Sequence, residues 1–126
     1  YQFDEPALNS FSEEIALSVK EPYQILSKQP MEAHPLSAVL EKYIRPEQEI
    51  DFFSIDVEGL DLEVLQSNDW NKFRPKVVLV EQLRSSEYQS KDSPVSIFLS
   101  AKGYRIYAKT FNTAFYISDS YLSKML

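Results

Sequence analysis

Residues 50–65 read IDFFSIDVEGLDLEVL, an apolar run that ends in an acidic turn and continues into a second apolar pattern. The run over 50–57 shows little alternation of apolar and polar residues, which is typical of a strand buried on both faces of a sheet. Gly59 predicts a tight turn after that strand, and residues 62–65 begin a short helix. This stretch therefore predicts a strand, a turn and a helix in succession, as in α/β folds.

Helices and strands alternate on both sides of this stretch. Apolar residues three and four positions apart over 36–43 predict a helix before it. Residues 77–80 read VVLV and predict a second doubly buried strand. Ser93 followed by Pro94 is a typical helix start, and Gly103 is a typical helix end.

The carboxy-terminal part predicts a hairpin. Residues 104–110 and 114–118 both alternate, and the turn at 111–113 joins them. Buried strands that alternate with helices predict a parallel sheet with right-handed crossovers. The hairpin adds one antiparallel strand, 114–118, which we expect to lie between the strand at 77–80 and the strand at 104–110. Residues 1–34 give no clear pattern apart from a possible short strand at 23–26.

Composition narrows the class of protein. The chain of 126 residues is long enough for one domain and carries a net charge of -6, which argues against a nucleic-acid binder. It has no cysteine, which excludes a disulfide framework and fits a reducing compartment, so we expect a cytoplasmic protein. No apolar stretch is long enough to span a membrane. The chain opens on Tyr1 without a signal-peptide pattern, and we expect it to be cut from a longer protein.

Acidic side chains gather at one edge of the predicted sheet. Ligands of open α/β sheets bind outside the carboxyl ends of the strands. The first buried strand ends at Asp56, with Glu58 directly after it, and the second ends at Glu81. The hairpin turn with Asn112 follows a strand of the same direction. The topology therefore brings three carboxylates and one amide to the same edge.

Each of these residues also has a purely structural interpretation. Asp56 or Glu58 could cap the next helix, because a helix N-terminus attracts negative charge. Glu81 could be a solvated strand end. Asn112 could be a turn residue chosen for its backbone tolerance. His34, the only histidine, is interpreted as a loop residue.

The motif at 55–59, Ile-Asp-Val-Glu-Gly, followed by an acidic and apolar helix at 61–65, resembles the FkbM methyltransferase family. That family is marked by an apolar strand that closes on Ile-Asp-x-Glu-Gly. The helix over 35–43, the strand 77–81 that ends in Glu, and the turn at 102–104 before the hairpin resemble its flanking parts. The resemblance implies an α/β fold with a partial Rossmann-like methyltransferase sheet, mostly parallel, with a carboxy-terminal antiparallel hairpin strand.

The resemblance lacks one part of the family pattern. A methyltransferase of this type has a glycine-rich cofactor loop, whereas this sequence has two glycines and no Gly-x-Gly. We therefore interpret residues 1–126 as the carboxy-terminal half of a single methyltransferase-like domain, with S-adenosylmethionine as the cofactor of the intact parent. We expect this chain alone to bind S-adenosylmethionine weakly or not at all.

The resemblance also implies roles for the residues at the sheet edge. Methylation of a hydroxyl group on a sugar or natural product implies a small-molecule or glycan acceptor. Asp56 is the candidate for catalysis and for cofactor contact near the transferred methyl group. Glu58 is the candidate for orienting the acceptor or removing its proton. Glu81 and Asn112 are candidates for acceptor binding, and no metal is expected, although paired carboxylates can hold a divalent cation.

Two other functions remain open. A non-catalytic binding or scaffold domain of the same fold fits the missing loop. A metal-dependent hydrolase could use Asp56, Glu58 and Glu81, although no histidine stands at ligand spacing. Without the preceding half of the domain, the strand at 50–57 has a free edge. We expect that edge to pair with a second copy of the chain, or to be covered by residues 1–34.

Overall fold

The computed structural model describes residues 1–81 and 93–126, which form a mixed α/β structure. The elements follow one another as β1 (Gln2–Phe3), a 3-10 helix (Pro6–Leu8), α1 (Glu13–Ser18), β2 (Ile25–Ser27), α2 (Leu36–Tyr43), β3 (Phe52–Ile55), α3 (Asp61–Gln66), β4 (Val77–Glu81), α4 (Pro94–Ala101), β5 (Tyr104–Lys109), β6 (Thr113–Ser118) and α5 (Asp119–Met125). None of the helices within these described ranges is long and apolar enough to cross a membrane.

The main sheet has four strands in the order β3-β4-β6-β5. Phe53 lies opposite Val78 in the parallel pair of β3 and β4. Tyr116 lies opposite Val78 on the other side, in the antiparallel pair of β4 and β6. The predicted insertion of the last strand between β4 and β5 is therefore confirmed.

The expectation of a mostly parallel sheet is not confirmed. The described strands β3, β4 and β5 share one direction, but β6 separates β4 from β5 and is antiparallel to both. Only the pairing of β3 with β4 is parallel among the described strands of this sheet. The tight hairpin explains this arrangement, because strands joined by a short turn must pair antiparallel.

The strand after residue 50 is shorter and more exposed than predicted. It spans Phe52–Ile55, and its side chains alternate between exposed and at least partly buried. Phe52 is 61% exposed, whereas Ile55 is buried. The prediction of a strand buried on both faces was wrong here, because the face of β3 that carries Phe52 and Ser54 is exposed.

The core lies between the sheet and helices α3 and α4. Val78 and Val80 of β4 and Leu99 of α4 are fully buried. Trp70 packs edge-on against the rings of Phe98 and Tyr104. These contacts hold the helices against one face of the sheet. The connecting turns lie at the carboxyl ends of the parallel strands β3 and β4.

Residues 1–34 form their own small unit. β1 pairs antiparallel with β2, which overlaps the strand expected at 23–26. The helix α1 was not predicted, although Ser12 followed by two acidic residues is a typical helix start. The Ser12 hydroxyl accepts a hydrogen bond from the backbone N–H of Ile15 at 3.3 Å and so caps α1. The helix α5 was not predicted either.

Candidate active site

The three acidic residues predicted to meet at the sheet edge do meet there. Each of Asp56, Glu58 and Glu81 offers a carboxylate oxygen within 4.8 Å of the other two. The strand register explains why Asp56 and Glu81 are close. Ile55 lies opposite Val80, and Asp56 and Glu81 are the residues that follow them. We call Asp56, Glu58 and Glu81 the carboxylate cluster.

The turn after β3 has an unusual backbone. Glu58 has φ 51° and Gly59 has φ 90°, so two successive residues are left-handed. For a residue with a side chain, that conformation costs about 1–2 kcal/mol. The Asp61 carboxylate supports the turn by accepting hydrogen bonds from the backbone N–H of Val57 at 3.4 Å and of Gly59 at 3.3 Å. The left-handed conformation keeps Glu58 beside the other two acids.

Burial and the repulsion between negative charges raise the pKa values of three acids in this region, Glu58, Asp61 and Glu81. Burial, followed by a hydrogen bond and the charge of Asp56, raises the pKa of Glu81 to about 7. Burial, followed by the charges of Asp56 and Asp61, raises the pKa of Glu58. Burial raises the pKa of Asp61, while the backbone N–H donors oppose that shift. Near neutral pH, Glu81 is therefore poised to take up or release a proton.

Asn112 lies at the same edge but outside the carboxylate cluster. Its neighbour Thr113 is the strand partner of Glu81, which places the hairpin turn beside the end of β4. The side-chain oxygen of Asn112 is buried and has no hydrogen-bond partner among the described residues. Such a buried acceptor is suited to receive a hydrogen bond from a ligand hydroxyl.

A cavity of about 420 Å³ opens beside Glu81. Its walls come from Glu14 and Ile15 of α1, from residues 59–63, and from Pro94 and Val95 at the start of α4. Of the carboxylate cluster, only Glu81 lines it. This volume lies within the usual range for small-molecule sites, about 300–1,000 Å³.

Sequence reasoning missed the part played by α1 and by Asp61. The wall that α1 forms requires a long-range contact, between Ile15 and Gly59, and no local pattern indicates that contact. Asp61 was interpreted as an ordinary acidic residue of the helix. Its distance of two residues from Gly59 was a usable signal, because Asp side chains often hydrogen-bond nearby backbone N–H groups in turns.

The carboxylate cluster could hold either a divalent cation or a positively charged group of a small molecule. Carboxylate oxygens are the ligands that Mg²⁺ and Ca²⁺ prefer. A sulfonium or ammonium group would also relieve the repulsion among the three acids. The geometry alone allows both.

Comparison with known proteins assigns the family. No curated protein and no solved structure gives a significant match to the chain. The family model described as the methyltransferase FkbM domain matches residues 3–106. That match covers most of the chain, including α1, the carboxylate cluster and the start of the hairpin. The chain therefore belongs to the FkbM methyltransferase domain family.

Proposed function

We propose that the protein takes part in transferring a methyl group from S-adenosylmethionine to a hydroxyl oxygen of a sugar or natural product. Membership of the FkbM methyltransferase domain family supports methyl transfer. The observation that supports the chemistry most directly is the carboxylate cluster, in which the pKa of Glu81 is raised to about 7 by burial and by Asp56.

The described residues fit one end of S-adenosylmethionine. The cofactor supplies a methyl group activated by a positively charged sulfur. Asp56, exposed at the end of β3, can complement that charge. The two glycines of the sequence, Gly59 and Gly103, both serve turns with positive φ, so neither forms a glycine-rich cradle for the rest of the cofactor. We propose that residues 1–126 supply the acceptor side of a larger methyltransferase domain.

Each member of the carboxylate cluster receives a role from its position. Asp56 complements the sulfonium charge and holds the methyl group near the edge of the sheet. Glu58 and Glu81 orient the acceptor hydroxyl and take its proton, and a base with a pKa near 7 is well suited to that step at neutral pH. Holding the acceptor oxygen in line with the methyl group supplies much of the rate enhancement.

The test is transfer of a labelled methyl group from S-adenosylmethionine by the parent protein to a panel of hydroxylated acceptors. Glu58→Gln should lower the rate by about 100- to 10,000-fold, the usual contribution of a general base. Asp56→Asn should also lower the rate strongly, because it removes the negative charge beside the sulfonium. Glu47→Gln, in an exposed residue before β3, is the matched control and should leave the rate unchanged. Thermal melting of each variant separates a loss of chemistry from a loss of folding.

Losses smaller than about threefold in both cluster variants would remove Asp56 and Glu58 from the mechanism. Absence of transfer to any acceptor, with cofactor binding intact, would favour a binding or scaffold role for this fold instead.

A further inference from the structure

We infer that the cavity beside Glu81 binds the methyl acceptor and that this acceptor carries a protonated amine together with its hydroxyl groups. The inference rests on the proposed methyl transfer and adds to it a location and a charge for the acceptor. It also gives α1, which has no role in the cluster itself, a part in acceptor selection.

The cavity exists because α1 closes over the turn after β3. The Cδ1 atom of Ile15 lies 2.5 Å from the point where a Cβ atom on Gly59 would stand. The amino-terminal unit contacts α1 through Glu13, which forms an ion pair with Lys28 at 3.1 Å and accepts a hydrogen bond from the Tyr1 hydroxyl. The wall is thus anchored by contacts at both ends of the amino-terminal unit.

The walls of the cavity combine acidic and apolar side chains. Glu14, Glu63 and Glu81 supply carboxylates, and the described residues that line the cavity include no lysine, arginine or histidine. Ile15 and Val95 belong to its apolar surface. An acceptor with a phosphate or carboxylate would be repelled by these acids, whereas an ammonium group would be attracted.

Asp61 also lines the cavity but plays a different part. Its two oxygens accept hydrogen bonds from the backbone N–H groups of Val57 and Gly59. That carboxylate therefore shapes the wall, and Glu14, Glu63 and Glu81 remain to contact an ammonium group.

Glu81 joins the cavity to the carboxylate cluster. One of its oxygens lies within 4.8 Å of an Asp56 oxygen, and Glu81 is also part of the cavity wall. An acceptor hydroxyl that donates a hydrogen bond to Glu81 would thus lie next to the methyl group held beside Asp56. The hydroxyl oxygen bonds to the methyl carbon as the carbon–sulfur bond breaks, its electron pair stays on sulfur, and the hydroxyl proton passes to Glu81.

Three matched probes test the charge preference. The probes are methyl 6-amino-6-deoxyglucoside, methyl glucoside and methyl glucuronoside. They differ only at carbon 6, which bears an ammonium group, bears a hydroxyl group or is itself the carboxylate carbon. Binding to the parent protein is followed by NMR at about pH 8, where the alkyl ammonium is still charged and the carboxylates are ionised. We expect the ammonium probe to bind about two- to fivefold more tightly than the hydroxyl probe, the effect of one partly exposed ion pair. The carboxylate probe should bind least.

Two variants on α1 locate the binding. Ile15→Trp should fill the cavity and abolish binding of the ammonium probe. Leu17→Trp, in a residue that is 71% exposed and does not line the cavity, is the matched control and should bind as the unmodified protein does. Glu14→Gln should weaken binding of the ammonium probe more than binding of the hydroxyl probe, and so reduce the preference between them.

The outcomes separate this inference from the proposed function. Equal binding of all probes, no binding of any, or unchanged binding after Ile15→Trp would overturn the inference. Methyl transfer that persists in Ile15→Trp would do the same and leave the proposed function in place. Ammonium-selective binding in the cavity without methyl transfer to any acceptor would sustain the cavity as a binding site and overturn the proposed function.

Discussion

The Asp61 carboxylate accepts a hydrogen bond from the backbone N–H of Gly59 at 3.3 Å. This bond ties the first residue of α3 to the left-handed turn that carries Glu58. Asp61 is 9% exposed, and burial raises its pKa. The turn therefore depends on a buried acid whose desolvation cost is offset in part by backbone donors.

Replacing Asp61 should loosen this turn. Asp61→Ala leaves the N–H groups of Val57 and Gly59 without their acceptor, and we expect a loss of about 1–2 kcal/mol in the free energy of unfolding. Asp61→Asn keeps one acceptor oxygen and should lose less. Urea unfolding followed by fluorescence of Trp70, the only tryptophan and 5% exposed, measures both. An Ala variant as stable as the unmodified protein would show that the bonds contribute nothing.

The two glycines offer a matched pair of substitutions. Gly59 and Gly103 have φ 90° and 80°, so Gly→Ala at either position should cost about 1–2 kcal/mol of backbone strain. A Cβ at Gly103 meets only Arg74, at 3.6 Å, whereas one at Gly59 would lie 2.5 Å from Ile15 Cδ1. Because an isoleucine side chain can rotate, the additional cost at Gly59 should be small.

The two variants should differ in what happens to α1. We expect Gly59→Ala to shift the NMR signal of the Ile15 methyl groups and Gly103→Ala to leave it in place. In an Ile15→Ala background the contact is removed, and adding Gly59→Ala should then cost only the backbone strain. Identical methyl signals in both single variants would mean that α1 does not rest on Gly59.

The sequence predicts the meeting of the acidic residues better than it predicts what surrounds them. The meeting of Asp56 with Glu81 follows from two local patterns, because each acid ends a strand and parallel strands end at the same edge. The burial of β3 was predicted wrongly, because the exposure of Phe52 depends on which elements cover that face of the sheet, and a local pattern does not show them. The wall formed by Ile15 could not be predicted, since it depends on a contact between residues far apart in the chain.

Stability should fall as the pH rises through the titration of Glu81. Its pKa is raised from 4.5 to about 7 by burial and by Asp56. Between those values the unfolded chain is ionised while the folded protein keeps the proton. Folding is therefore favoured most below about pH 4.5 with respect to this group, and its contribution is lost by about pH 7. Glu81→Gln should flatten this part of the profile of melting temperature against pH.

The test compares the slope of melting temperature against pH between the unmodified protein and Glu81→Gln. The difference matters and not the slope itself, because Glu58 and Asp61 also have raised pKa values. Because of those two groups, the melting temperature of Glu81→Gln should still fall as the pH rises, but less than that of the unmodified protein. Profiles of equal slope for the two proteins would show that Glu81 titrates as an ordinary exposed acid.

The rate of methyl transfer should rise over the same range of pH. If Glu81 takes the proton of the acceptor, only its ionised form is active, and the rate should increase with a midpoint near the pKa of about 7. Glu81→Gln should lower the rate and remove this rising limb, while Glu63→Gln, in the same cavity, should keep it. A rising limb that survives in Glu81→Gln would assign proton removal to Glu58.

The free edge of β3 should make the protein self-associate. Within the described ranges, β3 pairs only with β4, and residues 1–34 form a separate two-stranded sheet and do not pair with β3. An edge strand with unpaired backbone groups is prone to pair with a second chain, and Phe52, 61% exposed, adds apolar surface. Sedimentation of the 126-residue chain should therefore show mass that increases with concentration.

Phe52→Lys should shift the chain towards the monomer, because a charge on an edge strand opposes pairing. Ile97→Lys, which adds the same charge at a residue of α4 that is 59% exposed, should leave the association unchanged. A monomer at all concentrations, with the amides of β3 exchanging freely, would contradict this expectation.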